Sequence, residues 1–198
     1  MKKDEISTLT KLVESAKFEF AKNGFHNTTV ESITKRAGVA KGTYYIYFKV
    51  KEDVIRYMVE EMTDRILHIL EVALNTIKNG IDDFELFLKN VLTDTIAEYI
   101  NIKDIMITVV NSDYALSEEL TSFKSKNMNR LKTKVLEILK LAKEKGYMRD
   151  IDIKTAADIL FLLMMNFTIT VVIKQGKKGF QKNIESISDF ILYGILKQ

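Results

Sequence analysis

The chain has 198 residues, of which 46% are hydrophobic, enough for a packed core in one large domain or two small ones. It contains no cysteine, which excludes disulfides and thiolate metal sites and fits a reducing cytoplasm. The net charge is only +3, but basic residues outnumber acidic ones in residues 1–51, and no acid lies between Ile33 and Lys51. A small basic unit on a slightly acidic body favours a polyanionic partner for the first part of the chain.

The first part of the chain reads as three helices. Apolar residues recur at spacings of three and four from Leu9 to Phe20, which predicts one buried helix face, and Gly24 is expected to end that helix. Thr28, followed three residues later by Glu31, predicts a capping box for a second short helix, which Gly38 ends. A third short helix follows in "VAKGTYYIYF". Two short helices across a tight turn are typical of a helix-turn-helix.

The third helix is dense in tyrosine. On a wheel of about 100° per residue, Thr43, Ile46 and Tyr47 fall on one side. Tyr44 and Phe48 fall on the other and are predicted to anchor the helix in the core. The outward face could then enter a major groove, where isoleucine meets thymine methyls and tyrosine reaches base edges or phosphates. The pattern alone leaves open the alternative that all three tyrosines of this helix are core residues.

Glycine and lysine flank this helix. Gly42 removes a side chain at the helix start, where the backbone must approach a phosphate closely and free N–H groups face the anion. Lys41, Lys49 and Lys51 are predicted to make sequence-independent phosphate contacts.

The rest of the chain also shows helical periodicity. The most apolar stretch, Ile159 to Ile173, is shorter than a membrane span and contains Asn166, so we expect a buried helix there and no membrane partner. The predicted helices are a long one after Lys51 that ends at Gly80, then 83–100, 103–111, one from Ser117 to Lys145, one from Asp152 to Gly176, and about 181–196.

The segment "TTVESITKRAGVAKGTYYIYFKVKEDVI" resembles the DNA-binding signature of the TetR (tetracycline repressor) family. Its Thr-Thr, Ala-Gly-Val, Lys-Gly-Thr, aromatic-rich helix, Phe-Lys and Lys-Glu agree with that signature in type and spacing, and "AKFEFAKNGFHNTTV" is similar to the family's first helix and turn. The resemblance covers about residues 8–58. One departure is Ala40, where the family often has a serine that caps the recognition helix.

The resemblance implies an all-α homodimer of about nine helices per chain. Residues 1–50 would form a three-helix, helix-turn-helix DNA-binding domain, and residues 51–198 a larger helical domain for ligand binding and dimerisation. Such proteins bind operator DNA, and most are repressors that a small-molecule effector releases. By position, together with the lysine pattern, the DNA-contacting residues would be Thr29, Lys41, Gly42, Thr43, Tyr45, Ile46, Tyr47, Lys49 and Lys51.

Candidate effector and dimer residues come from helical spacing and from polar residues in apolar helices, which need a partner. Most of these residues are expected to be core, and they favour a small, largely apolar ligand. The effector candidates are Met62, Ile66, Tyr99, Met106, Val110, Asn111, Phe123, Phe161, Met165 and Asn166. The dimer candidates, on stripes of the last two helices, are Ile159, Leu163, Phe167, Ile187, Phe190, Ile191 and Tyr193.

Catalysis and metal binding are not indicated. His26 and His68 are the only histidines, and neither has a metal-ligand partner at helical spacing. No motif for nucleophilic or phosphate chemistry is present, so we expect neither enzyme activity nor a cofactor. Two alternatives to a ligand-responsive repressor stay open: a non-specific or architectural DNA-binding dimer, and a helical carrier of small molecules or lipids.

Overall fold

The computed structural model describes the backbone of residues 3–101, 118–167, 186 and 188–194, with side chains for 7–98, 118–164, 186 and 188–194. These residues confirm the predicted all-α fold, and 188–194 are helical. The predicted helix at 103–111 lies outside the described residues. The helices with defined bounds are α1 Lys3–Asn27, α2 Val30–Ala37, α3 Lys41–Tyr47, α4 Lys51–Asn79, α5 Phe84–Asn101, α6 Glu118–Glu144 and α7 Ile153–Phe167.

The described residues fall into two compact units. The first contains the chain up to Glu61 together with residues 118–124, and the second contains 62–101 and the residues from Ser125 onward. The division therefore falls inside α4 rather than near residue 50. The reason is that the first turns of α4 pack with the preceding helices, as the rings of Phe48 and Tyr57 show at 5.9 Å. As a functional boundary, residue 50 stays a prediction.

The core of the first unit forms where α1 packs on α2 and α2 packs on α3. Leu12, Phe20 and Ile33 are fully buried there. Gly24 interrupts the helical geometry of α1 with φ 74° and ψ 164°, a left-handed φ that glycine adopts without steric cost. The chain folds back at this kink, so the buried Phe25 ring lies 5.4 Å from that of Phe20.

The cap of α2 is Thr29, and the prediction of Thr28 was wrong by one residue. The Thr29 hydroxyl accepts from the Ser32 N–H at 3.0 Å, and the Ser32 hydroxyl accepts from the Thr29 N–H at 3.2 Å. Thr28 is buried instead, with its hydroxyl 3.0 Å from the Glu19 carbonyl and 2.8 Å from that of Gly24. Both threonines have a suitable partner three residues on, and the burial of Thr28 against α1 decides between them.

In the second unit, α4 buries an apolar stripe that includes Met62, Ile66 and Leu70. None of the described helices is both long and apolar enough to cross a membrane. Exposed ion pairs add little stability, so buried apolar side chains dominate the stability of this unit. Ion pairs between α4 and its neighbours in this unit include Arg65 with Glu98 at 2.7 Å, Asp64 with Arg130 at 2.9 Å, and Glu71 with Lys134 at 3.1 Å.

Candidate nucleic-acid interface and effector cavity

Helix α3 has the buried face that its sequence predicts, but its exposed face differs in part from the prediction. Tyr44 is 0% exposed and Phe48 is buried beside it, with ring centroids 5.2 Å apart. On the outer side Ile46 is 76% exposed, as predicted, and Tyr45 is 52% exposed, whereas Thr43 and Tyr47 of the predicted outward face are half-buried. The alternative in which all three tyrosines are core residues is therefore wrong. Ile46 therefore places an apolar side chain at the protein surface, on a helix that has no acidic residues.

Tyr44 fixes the turn between α3 and α4. Its hydroxyl lies 3.3 Å from the Val50 carbonyl and 3.4 Å from the Lys51 carbonyl, and it can donate to either. Burial raises the pKa of Tyr44, and the nearby carboxylates of Asp53 and Glu52 raise it further, so the phenol stays protonated and can donate. The orientation of α3 is thus set from its buried side.

The start of α3 is open. Its N-cap is Ala40, whose methyl group cannot accept a hydrogen bond. A Cβ built on Gly42 would meet no atom within 4 Å. Lys41 is exposed, with its ammonium 4.0 Å from the Glu31 carboxylate. Thr43, by contrast, is half-buried. The backbone at Gly42 is therefore accessible to a large polyanion.

The other predicted DNA-contacting residues lie around α3 and differ in their exposure to solvent. Lys49 and Thr29 are exposed, although the Thr29 hydroxyl is already bonded to Ser32 as the cap of α2. Tyr47 is half-buried. The backbone N–H of Lys49 donates to the Asp53 carboxylate at 2.8 Å, which orders the turn before α4.

Lys51, a predicted phosphate contact, has its ammonium bonded within the protein. Its ammonium donates to the carbonyls of Phe25 at 2.6 Å and Thr28 at 2.8 Å, and it lies 4.1 Å from the centroid of the Phe25 ring. Partial burial lowers the pKa of Lys51. The Lys51 ammonium thus bonds within the protein and links the first turn of α4 to the turn between α1 and α2.

A second candidate site is a cavity of about 90 Å³ in the second unit. Ile66 and Phe161, two of the predicted effector residues, line it. The sequence could not indicate most of the others, because aliphatic residues of four helices meet only in the fold. The lining residues are Ile66, Leu70, Leu88, Val91, Leu92, Thr95, Leu131, Val135, Ile138, Leu139, Leu160, Phe161 and Met164.

The remaining effector candidates do not line this cavity in the described residues. Met62 is buried in the core of α4 but is not part of the lining, and Phe123 belongs to the first unit. The side chains of the other candidates lie outside the description: Tyr99, Met106, Val110, Asn111, Met165 and Asn166.

The predicted dimer residues on α7 and the last helical segment come together around a groove of about 350 Å³. Ile159, Leu163, Phe190 and Ile191 all line this groove. Phe190 and Tyr193 are exposed, at 68% and 78%. Ile191 is only 3% exposed in the single chain, and its place at a dimer interface stays a prediction.

Two of the predicted dimer residues, Phe167 and Ile187, have side chains outside the description. In the described ranges no group of three or more acidic or histidine side chains is placed to hold a metal ion.

The paired helices α2 and α3, with an outward apolar and basic face, define a helix-turn-helix DNA-binding protein. Residues 12–58 match the family described as bacterial regulatory proteins, tetR family. The uncharacterized HTH-type transcriptional regulator YdgC of Bacillus subtilis (strain 168) is 24% identical over 198 residues, which cover 99% of this chain and 96% of that protein. Residues 12–58 therefore carry a DNA-binding segment of the tetR family type, and the full-length similarity to YdgC supports a TetR-family transcriptional regulator.

Solved structures share the fold over almost the whole chain. The transcriptional regulator FadR from Bacillus subtilis, in complex with stearoyl-CoA, matches with a TM-score of 0.73 and 22% identity, covering 93% of this chain and 98% of that one. The SmeT–triclosan complex matches with a TM-score of 0.76 and 21% identity, covering 96% and 92%. At these identities the likeness shows the fold.

Proposed function

We propose that this protein is a cytoplasmic, ligand-responsive repressor that binds a palindromic operator as a homodimer. A small, largely apolar molecule bound in the second unit releases it from DNA. The observation that carries the DNA-binding part is the outward face of α3, where Ile46 and Tyr45 are exposed while Tyr44 and Phe48 hold the helix from behind.

This face suits a major groove. Ile46 offers a hydrocarbon surface to thymine methyls, and Tyr45 offers a ring and a hydroxyl to the phosphate backbone or base edges. Lys41 and Lys49 are exposed beside them and supply the sequence-independent attraction to phosphates. A two-fold dimer would present two such helices and would therefore prefer a palindromic site.

The cavity supports an apolar effector. All but one of its lining side chains are hydrocarbon or thioether groups, so a polar molecule would lose hydration there without compensation. Two proteins of the same fold have solved structures in complex with stearoyl-CoA and with triclosan. Binding sites for such molecules are usually clefts of about 300–1,000 Å³. The cavity would therefore hold only part of a larger effector or would expand on binding.

Helix α4 offers a route for coupling. Its Ile66 and Leu70 line the cavity, and its first residue, Lys51, holds the α1–α2 turn through two carbonyls. A ligand that displaces α4 would reorient the DNA-binding helices of each protomer. Two recognition helices would then no longer fit successive major grooves, which is how we expect ligand to release DNA.

The test begins with selection of duplexes from a random library, followed by fluorescence anisotropy of the selected duplex and a scrambled one across a salt series. We expect a palindromic consensus, bound roughly 10³-fold or more tightly than the scramble. Ile46→Ala should weaken only the specific complex, by about 1–3 kcal/mol, since it removes a base contact. Val72→Ala, which trims another exposed aliphatic residue, is the matched control.

Two results would contradict the proposal. Equal, steeply salt-dependent binding to both duplexes would indicate an architectural DNA-binding protein. Absence of binding to either duplex at low salt would favour a carrier of small molecules.

A further inference from the structure

The apolar cavity contains one polar side chain, Thr95 on α5. Its hydroxyl oxygen is buried and has no hydrogen-bond partner among the described residues. An unpaired buried hydroxyl is unfavourable, because it has lost its hydrogen bonds to water without replacing them. Such a group at a ligand cavity needs an explanation.

Two other helical threonines show what Thr95 could have done. Thr93, on the same helix, donates its hydroxyl to the Lys89 carbonyl at 2.8 Å, and Thr76 donates to the Val72 carbonyl at 2.9 Å. This bond to the carbonyl four residues earlier is the usual solution for a threonine within a helix. Thr95 does not make it, so its hydroxyl keeps its hydrogen-bonding capacity.

The other lining residues limit the charge of the ligand. None of the side chains around this cavity is charged, and an ionised group buried without a partner is strongly disfavoured. A carboxylate, a phosphate or an ammonium group is therefore a poor fit to this space. A hydroxyl or a carbonyl oxygen carries no net charge and can pair with a threonine hydroxyl.

We propose that the effector, in the part that enters this cavity, is a neutral aliphatic group bearing one hydroxyl or carbonyl oxygen, which hydrogen-bonds to Thr95. This inference rests on the proposed function, since it describes the ligand of the same cavity. A larger effector could carry charge elsewhere, but the part buried in the cavity would be neutral and would bear this one oxygen.

The test is a double-mutant cycle between protein and ligand. The probes are cyclopentanol and methylcyclopentane, which differ by a hydroxyl in place of a methyl group. Dissociation constants come from methyl NMR titrations, in which the leucine, isoleucine and valine methyl groups of the cavity report binding. The proteins are the wild type, Thr95→Val, which keeps the shape and removes the hydroxyl, and Thr93→Val as the matched control.

We expect the preference for cyclopentanol over methylcyclopentane to fall by about 2- to 12-fold in Thr95→Val, the range for one net hydrogen bond. Thr93→Val should leave this preference unchanged. The cycle cancels the different hydration of the two probes, because only ratios between proteins are compared. If Thr95→Val does not fold, Thr95→Ala removes the same hydroxyl, and Thr95→Ser should retain the preference.

The failures of the two proposals are distinguishable. If both probes bind with cavity-specific shifts but the preference is the same in wild type and Thr95→Val, the role of Thr95 is wrong and the cavity remains a ligand site. If folded wild-type protein binds neither probe, the cavity is not a ligand site, and the effector part of the proposed function fails with the inference.

Discussion

Gly42 is a residue at which folding and DNA binding place opposite demands. In a helix glycine is less favourable than alanine by up to about 1 kcal/mol, and a Cβ at this position would meet nothing within 4 Å in the free protein. We expect Gly42→Ala to raise the free energy of unfolding, by about 0.5–1 kcal/mol. Operator affinity should fall by about tenfold, because the methyl group occupies space that a phosphate needs.

Urea unfolding and anisotropy with the selected operator measure the two effects. Tighter or unchanged operator binding by Gly42→Ala would show that the backbone at this position does not approach DNA.

Lys51 illustrates how a cation within a basic segment can have a structural role. Its ammonium bonds to the carbonyls of Phe25 and Thr28. Lys51→Met keeps the aliphatic stem and removes the charge, so we expect a loss of about 1–3 kcal/mol in the free energy of unfolding, as for buried carbonyls left without a donor. The salt dependence of DNA binding should keep its slope, since no phosphate contact is lost.

Lys49→Met is the matched control for this change. Lys49 is exposed, so its replacement should leave stability nearly unchanged and reduce the slope of log K against log salt by about 0.9, the value for one phosphate contact. A lower slope with unchanged stability for Lys51→Met would instead support the predicted phosphate contact of Lys51.

At the scale of the helix, α3 lacks a side-chain cap. Ala40 has the extended backbone of an N-cap, with φ −65° and ψ 149°, but cannot accept a hydrogen bond from the first turn. Ala40→Ser should stabilise the protein by about 1 kcal/mol, because serine at an N-cap satisfies one free N–H group. The measurement is the midpoint of urea unfolding in the absence of DNA. An unchanged midpoint would mean that solvent already satisfies this group equally well.

The elements also show what the sequence could and could not predict. The buried face of α3 followed from helical periodicity alone, since Tyr44 and Phe48 are four residues apart and share a side. The exposed face followed only for Ile46, because Thr43 and Tyr47 are half-buried in the fold. The cap of α2 could not be predicted in this way, because Thr28 and Thr29 both have a suitable side chain three residues later. The choice between them depends on α1, which periodicity within α2 cannot report.

Interactions between distant residues were less predictable. Lys51 bonds to backbone carbonyls more than twenty residues earlier, and carbonyls have no sequence signature. The cavity likewise depends on four helices meeting, so that only Ile66 and Phe161 were among the effector candidates. Periodicity indicates that a residue is buried, but not which other residues surround it.

At the scale of the whole molecule, the proposed dimer makes its own prediction. Phe190 is exposed and lines the groove formed with Ile159 and Leu163. Phe190→Asp should weaken self-association by about 2 kcal/mol or more, the effect of removing a central aromatic contact at an interface. The fold should persist, because this side chain is mostly exposed in the single chain.

Sedimentation velocity over a concentration series measures the dimer, with Leu86→Asp, at another exposed hydrophobic position, as control. A monomeric Phe190→Asp protein should also lose affinity for the palindrome, because each half-site then binds alone. Equal dimer stability in the two variants would place the interface elsewhere.

The tyrosines of α3 give the protein an optical property. Because the sequence contains no tryptophan and eight tyrosines, tyrosine dominates its intrinsic emission. Tyr44 is shielded from solvent, whereas Tyr45, whose ring centroid lies 5.7 Å from that of Tyr44, is accessible to collisional quenchers. Stacking or hydrogen bonding of Tyr45 with nucleic acid would alter the emission of Tyr45, while the buried Tyr44 would stay inaccessible to the quencher. The unlabelled protein therefore carries a built-in spectroscopic reporter at the surface that we propose meets the operator.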